Sequence, residues 1–403
     1  MNMATTQQGL SGRSSGNRYH SLDYPLLLAV LALISIGLVM VSSASITLAD
    51  RELGQPFHYA IRQGIYIVIG LMLAAFLLRM PLRYLEKTSF YLLLLSIGLL
   101  FLVLIPGVGV KINGSYRWIN LGPVNLQVSE PAKLLFIIYM AGYLVRHAAA
   151  VQTSIAGFLK PMAMLGLVAI LLLMEPDFGS AVVVVATNLC MLYLAGVRLL
   201  PLAGVFVLAF VLLAGLAISS PYRLERLTTF LNPWADPFDS GFQLTQSLIA
   251  IGRGEIFGVG LGASIQKLFY LPEAHTDFVF AVLAEEAGLV GVLVIIALYG
   301  FLVIRAFAIA AVAQKAGRPF AANLAWGIGT WFSLQSFINI GVNMGLLPTK
   351  GLTLPLMSYG GSSMVVMCAA AALLLRIDYE TRCTVEGLPE SGATPAKWRR
   401  TDT

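Results

Sequence analysis

The stretch LPEAHTDFVFAVLAEEAGLVG, Leu271 to Gly291, reads as the start of a membrane-spanning helix, yet it carries Glu273, His275 and Asp277 in its first turns and Glu285 and Glu286 in its middle. An ionisable side chain at mid-bilayer costs about 2.5–3.5 kcal/mol on insertion scales, so such residues persist where they face a wet cavity or a partner. The surrounding chain leaves no doubt about the solvent. Of 403 residues, 58% are hydrophobic and only 11% charged, more apolar side chain than one soluble core could hide. The class is an all-α polytopic integral membrane protein. Cys190, Cys368 and Cys383 make no disulfide framework, and the scattered histidines make no zinc pattern. No Walker loop or dinucleotide fingerprint is present. The net charge of +6 is a matter of membrane sidedness rather than nucleic-acid binding.

Apolar runs near the roughly 20 residues that a bilayer core takes predict ten spans, at 25–46, 59–79, 88–106, 131–146, 159–174, 178–196, 199–219, 278–304, 322–344 and 355–375. Placing both termini in the cytoplasm puts most Lys and Arg of the short loops inside, among them Arg79, Arg83, Lys87, Arg146, Arg198, Arg305, Lys315 and Arg318. The organisation is then a cytoplasmic tail 1–23 without the pattern of a removable signal peptide, a membrane domain 24–376, and a polar cytoplasmic tail 377–403. The outer side holds one long loop between spans seven and eight, 220–276, and most of the acids. Chemistry is therefore expected outside. Within that loop Phe242, Leu244, Leu248, Ile249 and Ile251 form an amphipathic stretch suited either to the membrane interface or to an ordinary folded loop, and a glycine-rich run follows.

Three groups of polar residues meet the outer boundary. Asp277 opens the eighth span, with Glu273 and His275 in the same turn and Glu285 about 12 Å deeper along the axis. Alone, Asp277 would read as a helix cap; beside those neighbours it reads as a site. Glu130 and Lys133 stand at i,i+3 on span four, and Glu175 and Asp177 form the turn between spans five and six. A Lys133–Asp177 or Lys133–Glu175 pair would neutralise charge in a low dielectric, and Lys133 reads equally as structural ion pair or substrate clamp. Lys111, Arg117 and Lys350 lie on outer loops, where cations run against the topology bias and suit an anionic headgroup. Trp118 suits an interface anchor better than sugar stacking. Gln335, Asn339 and Asn343 share one face of span nine and are placed to hydrogen-bond between helices.

A carboxylate among cations at a membrane surface fits glycosyl or phosphoryl transfer from a lipid-phosphate donor. A proton-coupled transporter would use the same acids as a relay, but no matching set lines the inner half. The motifs NGSYRWINLG, EPDFGS, GRGEIFGVGLGASIQKLFYLPEAHTDFVFAVLAEEAG and LLPTKGLTLPLMSYGGSS resemble signatures of the SEDS family (shape, elongation, division and sporulation), over about residues 24–376. MVSSAS and PTKGLTLPLMSYGGSS resemble its division branch more than its elongation branch.

The resemblance implies a peptidoglycan glycosyltransferase that polymerises lipid II at the outer face of the bacterial cytoplasmic membrane, at the division septum. It implies Asp277 as general base, with undecaprenyl pyrophosphate leaving. Arg117, Lys133 and Asp177 match family positions, and with Glu273, His275 and Lys350 they are the expected substrate-binding set. Glu130, Glu175, Glu285 and Glu286 are expected to support the cavity. A family-like QPSE reads Gln127-Val128-Ser129-Glu130 here, and QPDLGT reads EPDFGS. A divalent cation (Mg or Mn) could assist a pyrophosphate, though no spacing demands a metal site. The implied partners are a class B penicillin-binding transpeptidase and other division membrane proteins. A lipid II flippase and a non-catalytic division scaffold are the rival readings.

Overall fold

The computed structural model describes residues 22–112, 115–120, 122, 125–218, 229–239, 241–268, 271–348 and 351–386. Lys350, the long loop's residues 219–228, the segment 1–21 and the segment 387–403 lie outside the described residues. The helices are α1 (Tyr24–Leu53), α2 (His58–Arg79), α3 (Leu82–Val103), α4 (Ser129–Arg146), α5 (Ala148–Thr153), α6 (Ile155–Met174), α7 (Phe178–Leu194), α8 (Leu199–Ile218), α9 (Phe242–Arg253), α10 (Val279–Lys315), α11 (Pro319–Asn343) and α12 (Gly361–Glu386).

Six of them, α1, α2, α3, α6, α10 and α12, are long and apolar enough to cross a membrane. The chain is a multi-pass membrane protein. The other four expected spans coincide with α4, α7, α8 and α11. Of these, α4 and α11 carry polar residues such as Lys133 and Asn339, and α7 is short. The last helix continues to Glu386, so the first ten residues after 376 are helical.

The chain is not wholly helical. β1 (Gly109–Ile112), β2 (Ser115–Asn120) and β3 (Asn125–Gln127) form an antiparallel sheet in the order β1-β2-β3, with Val110 opposite Trp118 and Trp118 opposite Gln127. The physical reason lies in the sequence: VKINGSYRWIN mixes β-branched and aromatic residues around an Asn-Gly pair, the residues that strands and hairpins favour.

The centre of the bundle is α4, α11 and α12, which are buried along most of their length, while α1, α2, α3 and α10 turn one apolar face outward. α2 packs along α12, α3 along α4, and α10 along α11. At one end Glu380 ties three helices together: it accepts from Arg376 Nε at 2.8 Å and the Leu82 amide at 2.9 Å, and pairs with Arg318. Asp23 caps α1 through the Leu26 amide at 3.2 Å and pairs with Arg305 Nε at 2.5 Å.

The decisive irregularity is in α10. Gly288 has φ 65° and ψ −164°, which breaks the helix. Before the break, Val279–Glu286 are buried; after it, Leu289 and Val290 face outward. The broken turn is satisfied by the glycine-rich run after α9: the Val259 and Gly260 amides donate to the Glu285 and Glu286 carbonyls at 3.0 and 3.1 Å. In return, the Leu289 and Val290 amides donate to the Glu255 and Ile256 carbonyls at 2.9 and 3.1 Å. Non-helical backbone in a membrane protein needs such internal partners. The approach admits no side chain, since a Cβ at Gly288 would lie 2.3 Å from the Gly258 nitrogen, and one at Gly258 would lie 2.2 Å from the Glu286 oxygen.

Gly288→Ala is therefore expected to destabilise the protein by about 1–3 kcal/mol from backbone strain alone, with the clash added. Gly300→Ala, in the same helix with open space around it, should be neutral or slightly stabilising. Thermal unfolding of the two variants in detergent checks the contrast; equal midpoints would show that the break is not held by Gly288.

Candidate functional site

Asp277 lies in the turn just before α10 and is half-buried. Its position is set through its backbone. Asn339 and Asn343, one turn apart on α11, both donate to the Asp277 carbonyl, at 2.9 and 3.0 Å. Asn339 also donates to the Leu352 carbonyl at 2.6 Å, and Asn343 Oδ1 accepts from the Ala281 amide at 3.2 Å. Two amide side chains thus hold the start of α10 against the segment before α12. A Cβ at Gly351 would stand 3.2 Å from Asp277 Oδ2, so this segment runs beside the carboxylate itself.

One turn further along, Gln335 serves Lys133. Its Oε1 accepts from Lys133 Nζ at 3.0 Å and from Trp331 Nε1 at 2.8 Å, while its Nε2 donates to the Thr353 carbonyl at 3.0 Å. Lys133 is buried, pairs with Glu130 Oε1 at 2.8 Å and lies 5.3 Å from the Trp331 ring centroid. The expected pairing of Lys133 with Asp177 or Glu175 is replaced by this one, because the i,i+3 carboxylate on its own helix reaches it at no cost in chain ordering. The other oxygen, Glu130 Oε2, is buried without a hydrogen-bond partner.

Asp177 instead caps α7, accepting from the Ser180 amide at 3.1 Å and Ser180 Oγ at 2.8 Å. Arg117, on β2, donates from Nε to the Glu175 carbonyl at 3.1 Å and from its other end to the Pro176 carbonyl. It caps the α6–α7 turn. Gly179 packs on Leu352, which brings this turn to the same segment that flanks Asp277.

Glu175 is fully buried and neither carboxyl oxygen has a partner. Burial pushes its pKa up to about 9, helped by Asp177 and opposed by Arg117, so it is neutral at pH 7. A protonated Glu has the shape and polarity of the glutamine found in the family-like QPDLGT pattern, which is how EPDFGS keeps the same turn.

His275 is buried against the Tyr59 and Tyr359 rings, with centroids at 4.7 and 5.4 Å, and its carbonyl accepts from the Tyr359 amide at 2.9 Å. Burial lowers its pKa against the pull of Glu273 and Glu52. Its geometry is that of a packing residue beside Asp277. Glu273 is exposed, and Thr276 Oγ1 donates to its Oε2 at 2.7 Å.

Glu285 and Glu286 form a separate group. Glu285 accepts from Arg253 at 2.9 Å, from Ser264 Oγ, and from the Ile265 amide at 3.1 Å. Glu286 accepts from Lys267 Nζ at 2.9 Å and Ser43 Oγ at 2.7 Å. They clamp the chain after α9 onto α10 and α1. Among the described residues no three His, Cys, Asp or Glu side chains gather where they could hold a metal ion.

The residues that sequence reasoning did not assign to the site are Gln335, Asn339 and Asn343. Their shared face was legible, but their service to Asp277 and Lys133 was not.

The family model described as "Cell cycle protein", which groups FtsW, RodA and SpoVE, matches residues 24–383. The chain belongs to this family, the SEDS proteins. A probable peptidoglycan glycosyltransferase FtsW of Thioalkalivibrio sulfidiphilus is 61% identical over 360 residues, covering 89% of this chain and 90% of its own. The protein of that name from Nitrosococcus halophilus is 57% identical over 89% of this chain and 93% of its own. The crystal structure of the rod shape determining protein RodA of Thermus thermophilus aligns with TM-score 0.65 and 29% identity, over 89% of this chain and 97% of that one. A chain from a peptidoglycan synthase complex, described for its coordination of polymerization and crosslinking, aligns with TM-score 0.71 and 30% identity over 90% and 99%. The higher identity to the FtsW-named relatives places this SEDS chain on their branch of the family.

Two outcomes test the site. Asn343→Leu leaves the Ala281 amide without its side-chain acceptor and removes one of the two donors to the Asp277 carbonyl. It is expected to cost about 1–3 kcal/mol and to lower turnover more than it raises KM; a thermal scan with steady-state kinetics reads both. For Glu175 the folded pKa lies above the unfolded one, so the unfolded state binds fewer protons between them and wild-type stability falls as pH rises from about 5 to 9. Glu175→Gln lacks that titration, so its advantage in thermal midpoint should grow across this window; parallel pH profiles would show that Glu175 is ionised in the fold.

Proposed function

We propose that this chain is a peptidoglycan glycosyltransferase that polymerises lipid II at the outer face of the cytoplasmic membrane during septal wall synthesis. The relatives carry the glycosyltransferase name along nearly their whole length. The observation that carries the catalytic assignment is Asp277, whose carbonyl is pinned by two buried amide side chains while its carboxylate borders the Gly351 segment. A group so anchored can meet a substrate hydroxyl without reorganising.

In the proposed reaction the Asp277 carboxylate takes the proton of the acceptor sugar hydroxyl. The hydroxyl oxygen bonds to the anomeric carbon of the donor, and the bond from that carbon to the diphosphate oxygen breaks. The electron pair leaves with the undecaprenyl diphosphate. Of the cations expected to steady that anion, Arg117 is committed to the α6–α7 turn and Lys133 to Glu130 and Gln335. They shape the cavity, and Lys350, next to Gly351 in sequence, keeps the role of headgroup contact. Ten spans with both termini inside put Asp277 and the segment 220–276 on the outer side. The neighbour solved within a peptidoglycan synthase complex supports a class B penicillin-binding transpeptidase as partner, and other division membrane proteins follow from the same reading.

Purified chain given fluorescent lipid II in detergent, with and without the transpeptidase, should make polymer. Asp277→Asn, shown to be folded, should lower the rate by about 10²–10⁴-fold. Polymer from the variant at the wild-type rate would remove Asp277 from the chemistry. No polymer from wild type in either condition would favour the flippase or scaffold roles.

A further inference from the structure

The segment 255–268 has its polarity inside out. Its buried side chains are polar: Ser264, Gln266 and Lys267. Ser264 donates to Glu285, and Lys267 Nζ lies 2.9 Å from Glu286. Beyond the exposed Glu255 at its start, its large outward side chains are apolar: Phe257 is 81% exposed, Leu261 71%, and Ile256, Ile265 and Leu268 are exposed as well. A water-washed loop would show the opposite pattern. The backbone agrees, because amides and carbonyls between Glu255 and Gly260 are paired to the broken turn of α10, the condition for irregular backbone at membrane depth.

The level of this segment follows from α10. Its uncharged outward stretch after the break, Leu289 to Ile304, ends at Arg305, which is paired with Asp23. Sixteen residues rise about 24 Å, short of the roughly 30 Å of hydrocarbon. The missing depth lies beyond Leu289, at the level where residues 255–260 are paired to the break. The apolar surface of the segment is also continuous with the outward Leu289 and Val290. Arg253, paired with Glu285, and the exposed Glu255 mark the headgroup level.

We infer that residues 255–268 are not an aqueous loop but lie in the bilayer leaflet remote from the Asp23–Arg305 pair, with Phe257, Leu261, Ile265 and Leu268 among the acyl chains. The partner of this surface is lipid. The clamps made by Glu285 and Glu286 then hold a lipid-immersed strap against α10 and α1. This inference is independent of the enzymatic reading.

Spin labels test it. Phe257→Cys, Leu261→Cys and Leu268→Cys are made singly in the full chain, with Cys190, Cys368 and Cys383 replaced by alanine. Each is reconstituted in nanodiscs of phosphatidylethanolamine and phosphatidylglycerol without any partner. Leu293→Cys, on the outward face of α10, gives the lipid reference, and the exposed Asn120→Cys gives the water reference. The three labels should collide with oxygen and resist a water-soluble nickel chelate, as Leu293→Cys does. Nickel accessibility like that of Asn120→Cys overturns the inference, and its loss on adding the transpeptidase would assign the surface to that protein instead. If the cysteine-replaced chain does not fold, Leu261→Asp in the native chain should lower the thermal midpoint in nanodiscs by about 2–4 °C while Leu261→Met leaves it unchanged. Equal midpoints overturn the inference.

Discussion

Three amide side chains on one stripe of α11 hold the molecule's working parts in register. Gln335, Asn339 and Asn343 are buried, and their partners are carbonyls and a lysine from α4, from the turn before α10 and from the segment before α12. In a low-dielectric bundle an unpaired carbonyl is expensive, and each of these amides satisfies more than one group. The irregular segments around Asp277 are therefore stable only where α11 puts its amides. A helix with leucines in those places would pack but would not position the acid.

The same economy explains the charges. Lys133 with Glu130, Arg253 with Glu285, Lys267 with Glu286, and Arg376 and Arg318 with Glu380 are ion pairs whose carboxylates are buried. Such pairs gain little net stability over an apolar pack, yet breaking one strands a charge. They act as geometric pins at both ends of the bundle. Glu175 solves the problem differently, by remaining protonated. Asp277 is anchored through its backbone as well, its carbonyl accepting from both Asn339 and Asn343.

Much of this was legible in the chain. The hydropathy runs mark every long helix, the HTD turn marks the start of α10, and the glycine run after Arg253 predicts a break in regular structure. The family signatures add the branch and the chemistry. The small sheet was missed although its Asn-Gly pair and β-branched alternation were visible, because a hydropathy scan does not weigh short strands. The break in α10 was hidden because Gly288 sits in an unbroken apolar run, and helix is the default for such a run until a second backbone competes for its hydrogen bonds.

By itself the sequence determined the solvent, since so apolar a chain has only the bilayer in which to live, and it determined where carboxylates stand along each helix. The tertiary structure alone decided which partner each one has. Lys133 meets Gln335 across 202 residues of chain and not the acids of the α6–α7 turn, and Glu286 meets Ser43 across 243. Hydropathy is additive along the sequence and can be read locally. A hydrogen bond in a dry interior is set by distance and direction between groups that only the packed helices bring together.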